Sequence, residues 1–188
     1  MAFLNREQLK AMGFKSLGQN VLVSDRAAIY NADQIELGDN ARIDDFCLIS
    51  GRVVLERNVH LAAYTNIAGG VKGVRFGQFA GCAYGCHVFT QSDDYTGEAL
   101  FNPTVDDKYK KVAMAAIDIG AFALLGTNAL VFPGADVAEG TAIGAMSMVT
   151  KPTESWSVYF GRPAKRLKAR KKGLLDQYEK LLADEAGR

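Results

Sequence analysis

The chain has 188 residues, with 22 Lys and Arg against 21 Asp and Glu, and 48% of it is hydrophobic. That size suits one domain with at most a small appendage. The near-zero net charge gives no electrostatic reason to expect a nucleic-acid partner, and no apolar run approaches the ~18 residues of a membrane span.

The opening MAFLNREQLKAMG lacks the basic head and apolar stretch of a secretory signal. Cys47, Cys82 and Cys86 form neither an even disulfide framework nor a CxxC pair. Free thiols and a cytoplasmic location are the expectation. Residues 5–12 predict a short helix capped by Asn5 and stopped by Gly13, within an N-terminal cap of residues 1–20.

A six-residue repeat follows. Leu37, Ile43, Ile49, Leu55, Leu61 and Ile67 stand six apart, and Ala41, Cys47, Val53, Val59, Thr65 and Val71 follow each by four. The register slips near residues 69–73 and resumes at Phe76, Cys82 and Val88, with Ala80, Cys86 and Ser92. After the excursion of residues 91–116 it returns as Ile119, Leu125, Val131, Val137, Ile143 and Val149, with Ala123, Ala129, Ala135, Thr141 and Ser147. An α-helix has no reason to repeat at six, because its apolar stripe recurs every ~3.6 residues. Short strands joined by tight turns do, three to a coil of about 18 residues, each coil covering its neighbour.

The spacing therefore predicts an all-β solenoid, a parallel β-helix of about six coils over residues 21–151, triangular in section and about 30 Å long at one strand spacing per coil. First-position side chains point inward. The cysteines fill inward positions, which makes them packing residues rather than ligands or nucleophiles. Residues 152–188 form a basic segment and, from Pro163 onward, amphipathic helix with Leu174, Leu175, Tyr178, Leu181 and Leu182 at helical spacing. A long excursion from a minimal scaffold is where binding chemistry usually sits.

The hexads, the long loop after TQSDD, the stretch IGAMSMVTKP and the closing YFGRPAKRLKARKK together resemble the left-handed β-helix acyltransferases. The likeness is greatest to galactoside and maltose O-acetyltransferases and to sugar-nucleotide acetyltransferases of surface-polysaccharide synthesis, and it covers residues 20–172. It implies a left-handed coil and a homotrimer with active sites between neighbouring prisms. It also implies acetyl-CoA as co-substrate and a sugar or nucleotide-sugar acceptor; no metal, nucleic acid or membrane insertion is expected from the histidine count, the net charge and the absence of a long apolar run. Carried over by position, the pantetheine passes Leu124, Gly126, Thr127, Gly144 and Ala145. The nucleotide end meets Thr150, Lys151, Arg162, Lys165 and Arg166. Seven of the eleven residues from 162 to 172 are basic, which suits phosphates and equally suits a solvated face.

In the galactoside branch the last hexad before the loop ends in a histidine base, and here Asp93 stands there. His60 and His87 are the chain's histidines. Three readings stand. His87 is the general base, oriented by Asp93 or Asp94; or the acceptor is an amine that attacks unaided while Asp93 and Asp94 hold the sugar; or SDDY is an Asx-turn and His87 a surface residue. Asp44, Asp45, Tyr64, Asn66, Tyr84 and Tyr95 are the candidate acceptor contacts. His60 has no accompanying carboxylate motif and reads as a surface or pocket residue. Two other functions share the prism. A γ-type carbonic anhydrase needs three histidine ligands, more than this chain supplies. A structural or adaptor rod needs neither the basic tail nor the loop.

Overall fold

The computed structural model describes residues 2–187. Its core is a parallel β-solenoid with three faces. The first face stacks Leu22–Val23, Arg42–Ile43, His60–Leu61, Gly81–Cys82, Leu124–Leu125, Ala142–Ile143 and Ser157–Phe160. The second stacks Ala28–Ile29, 48–50, 66–68, His87–Phe89, Leu130–Val131 and Met148–Val149. The third stacks Ser16–Leu17, Ile35–Leu37, 53–55, 74–76 and Ile117–Ile119, and a bridge from Ile119 to Val137 extends it. The chain makes about seven turns rather than six. Strands at Ser16–Leu17 and Ser157–Phe160, outside residues 21–151, join the third and first faces and account for the difference.

The six-residue period has the physical cause expected of it. Leu37, Ile43, Ile49, Leu55, Leu61, Ile67, Phe76, Cys82, Val88, Ile119, Leu125, Val131, Val137, Ile143 and Val149 are all buried, none more than 3% exposed. Removing such a side chain from water contributes about 1.5–3 kcal/mol. Val71 departs from the pattern at 65% exposure, because the chain bulges over residues 69–73 and Val74 takes the inward place at 1%.

Helix α1, Arg6–Ala11, plugs one end with Leu9 buried, and Asn5 and Gln8 form a reciprocal capping box. At the other end the basic segment is not helical from Pro163. Lys165–Ala169 runs antiparallel to Ser157–Phe160, and helix α2, Leu174–Ala186, begins only after it. The Tyr178 ring of α2 packs edge-on against Phe79 and Phe122, each at 5.2 Å between centroids, and its hydroxyl lies 3.2 Å from Gln78 Oε1. No helix among the described residues is long and apolar enough to cross a membrane.

Candidate functional site

The turn between the first and second faces, here the first corner, carries most of the predicted residues. Its rungs are tied in register: Tyr64 N donates to Asp45 O, Gly85 N to Ala63 O, Asn128 N to Tyr84 O and Met146 N to Thr127 O, at 2.8–3.1 Å. The predicted pantetheine residues fall together on the later rungs. A side chain at Gly126 would stand 2.6 Å from Ala145 N, and one at Gly144 would stand 2.3 Å from the Phe160 ring. Gly126 is therefore required by coil stacking itself, whereas at Gly144 the neighbour is the exposed Phe160 side chain, which can turn aside. Leu124, Thr127 and Ala145 are exposed beside them.

The predicted phosphate ligands lie at the end of this stripe. Arg162 Nε donates to Met146 O at 2.6 Å, which pins the guanidinium over the corner and leaves its remaining N–H groups facing outward. Thr150, Lys151 and Lys165 are exposed nearby in sequence and register. Arg166 is engaged elsewhere, 3.1 Å from Glu154 and donating to Ser157 Oγ at 3.0 Å. Its charge is thus partly spent inside the fold.

On the second face His87 lies between Asn66 and Leu130. The Asn66 Oδ1 is buried without a hydrogen-bond partner, an acceptor that a bound donor would satisfy. Thr90 then turns the chain out of the prism, its hydroxyl donating to Gly69 O at 2.8 Å. The excursion is clasped by Gln91–Ser92 pairing antiparallel with Ala113–Met114.

Asp94 builds the loop instead of orienting His87. It accepts from Thr96 N at 3.0 Å, Thr96 Oγ1 at 2.8 Å, Glu98 N at 3.0 Å and Ala99 N at 3.2 Å. The Thr96 backbone N–H and hydroxyl hold its carboxyl below the usual range. Asp93 accepts from Asn102 N at 3.4 Å and lines a cavity of about 390 Å³ within the loop, with Lys110. Tyr95 stands 90% exposed at the tip.

Of the other acceptor candidates, Tyr64 and Tyr84 are exposed on the first corner, and Asp45 accepts from Ser24 Oγ at 2.5 Å. Asp44 is 5% exposed and both its oxygens are occupied, by Arg42 Nε at 2.7 Å and His60 Nε2 at 2.9 Å. His60 does therefore have a carboxylate partner, one that the sequence reading missed. The pair spans adjacent turns, so its offset of 16 residues has meaning only once the coil length is known. Burial acts to raise the Asp44 pKa, and the hydrogen bonds and charges of Arg42 and His60 together lower it further than burial raises it. A separate concavity of about 790 Å³ on the third face is lined by the ion pairs Lys15–Glu36 and Arg75–Asp118 and by none of the predicted residues. No group of three His, Cys, Asp or Glu among the described residues is placed to hold a metal.

No family model matches the chain. It is 37% identical over 179 residues to the dTDP-4-amino-4,6-dideoxy-D-glucose acyltransferase of Escherichia coli, covering 94% of this chain and 93% of that one. It is similar to the solved structure of AntD, an N-acyltransferase from Bacillus cereus in complex with dTDP and 3-hydroxybutyryl-CoA, with a TM-score of 0.96, 38% identity and 98% of both chains covered. A maltose O-acetyltransferase from Clostridium difficile shares the fold at a TM-score of 0.55 and 19% identity, over 88% of this chain and 74% of that one.

Proposed function

Because the chain belongs to the sugar-nucleotide acyltransferases of the hexapeptide β-helix type, we propose that it acylates the amino group of a dTDP-linked amino sugar from a CoA thioester. The observation that carries this reading is the likeness, over nearly the whole of both chains, to two enzymes of that description. It is supported by the exposed stripe of Leu124, Thr127 and Ala145, which ends at Arg162, Lys165, Thr150 and Lys151.

An amine acceptor also fits the local chemistry. A hydroxyl needs a positioned base to remove its proton during attack, and neither Asp93 nor Asp94 is hydrogen-bonded to His87. An uncharged amine carries its own lone pair. The new N–C bond forms as the C–S bond breaks, and overall one amine proton ends on the departing sulfur. Asn66 Oδ1, an acceptor awaiting a donor, suits the amine or a sugar hydroxyl. Backbone N–H groups along the corner are suited to stabilising the tetrahedral oxyanion. A homotrimer with sites between prisms, a cytoplasmic location for its buried thiols and a place in surface-polysaccharide synthesis belong to the same proposal.

The test is CoA release with a panel of acyl-CoAs against dTDP-amino sugars and their hydroxyl counterparts. Turnover only with amino sugars is expected, and His87→Ala should retain turnover within about threefold. A hydroxyl-only acceptor, or a loss of about 10² or more in that variant, overturns the amine reading. Absence of any thermal shift with millimolar CoA overturns the enzyme reading and leaves a structural rod.

A further inference from the structure

Helix α2 does not close down on the prism. Its apolar face carries Leu174, Tyr178 and Leu181, yet none of its described residues is buried. At the turn from the third face to the first, the Phe79 and Phe122 rings stack at 5.7 Å, and Tyr178 rests edge-on against both, which props the helix off the first face. The space beneath is a cavity of about 390 Å³, floored by Ala80, Gly81 and Ala123, walled by the two phenylalanines and roofed by α2. His60 and Leu124 border it.

In the register of the first face Gly81 falls between His60 and Leu124, so its missing side chain enlarges the cavity. A methyl group there would meet only His60 O, at 3.3 Å, a contact that a shift of a few tenths of an ångström relieves. The Gly81 backbone is not left-handed either. Coil stacking therefore does not demand this gap in the way it demands Gly126.

Arg170 is the one charged side chain, histidine apart, that lines the cavity. Its Nη1 donates to Phe122 O at 2.8 Å and to Gly140 O at 3.0 Å, which fixes the guanidinium beside the aromatic wall. Acids on the neighbouring elements are taken, Glu185 by Arg57 and Glu154 by Arg166, and among the described residues no carboxylate pairs with Arg170. Burial draws its pKa down, and no acidic neighbour acts against that. A half-buried cation without a counter-ion is costly, and a void between packed elements forfeits contacts. An anionic head on an apolar body removes both costs together.

We infer that the cavity under α2 binds a small apolar monocarboxylate, its carboxylate paired with Arg170 and its hydrocarbon body lying over Gly81. A planar guanidinium matches a carboxylate, and a single cation balances one negative charge rather than the two of a phosphate monoester. The site is distinct from the stripe assigned to CoA, although Leu124 borders both, and it does not depend on the proposed function.

The test is calorimetric titration of the full-length protein with octanoate, octanamide and acetate. Octanoate should saturate a single site per chain, octanamide should bind about tenfold or more weaker for want of charge, and acetate should not bind. Arg170→Gln keeps an N–H donor for the two carbonyls; it should weaken octanoate by about tenfold or more and leave octanamide within about threefold of the parent. Gly81→Val fills the cavity and should abolish binding of both, with melting curves to show that each variant is folded. Parental octanoate affinity in Gly81→Val overturns the inference, as does a parent protein that binds no octanoate or binds octanamide equally well. Complete displacement of octanoate by CoA also overturns it, because the space then belongs to the CoA site.

Discussion

Replacing Asp44 by alanine removes the carboxylate that accepts from both Arg42 and His60. Two charge-assisted hydrogen bonds, each contributing about 1.5–3 kcal/mol in a buried setting, set a ceiling of about 3–6 kcal/mol. The Arg42 and His60 side chains are 42% and 47% exposed, so water recovers much of that on loss of the carboxylate, and about 1–3 kcal/mol is expected. For a domain of this size each kcal/mol moves the midpoint by about 2–4 °C, which gives a drop of roughly 2–12 °C at pH 7. The folded pKa of Asp44 is depressed. Its contribution is therefore complete above the ordinary carboxylate pKa and is lost as pH falls through the folded value. Thermal melts of parent and variant from pH 7 to pH 3 should converge at the acid end. A gap that persists undiminished at pH 3, or none at pH 7, refutes the reasoning.

Gly126→Ala forces a methyl group to within 2.6 Å of Ala145 N and 2.8 Å of Ile143 O, both backbone atoms that cannot swing aside. A loss of about 2–4 kcal/mol is expected in chemical denaturation, with an unchanged slope. Lys151→Ala and Arg162→Ala together should raise the Kd for CoA by about tenfold or more and spare turnover at saturating acyl-CoA. Burial pushes the Cys47 thiol up to about 11 and Cys82 also upward. A hydrogen bond from Cys82 draws Cys86 the other way, but all three thiols are buried, so native protein should react with a thiol reagent far more slowly than denatured protein, in which they become available.

The fold was legible because one physical rule, burial at every sixth position, acts on nearly every hexad and leaves a direct trace in residue type. The trace failed where the backbone left the rule. Val71 keeps the apolar type in a bulge where nothing is inward, and Lys165–Ala169 has a composition that suits a helix, yet it extends the edge of the first face. The site was less legible. Gly126 is demanded by stacking whether or not a ligand passes it. The Asp44–His60 contact joins neighbouring turns, so it shows only after the sequence is wound.

The excursion leaves at Ser92 and returns at Ala113, directly opposite its own starting point, and the registers on either side ignore it. Gly81–Cys82 pairs straight with Leu124–Leu125, and His87–Phe89 with Leu130–Val131. The inserted segment is thus a cassette that selection can lengthen, shorten or rewrite at little cost to the scaffold. Under the proposed function, exchanging this cassette would alter the acceptor contacts while leaving the turns proposed to carry CoA as they are.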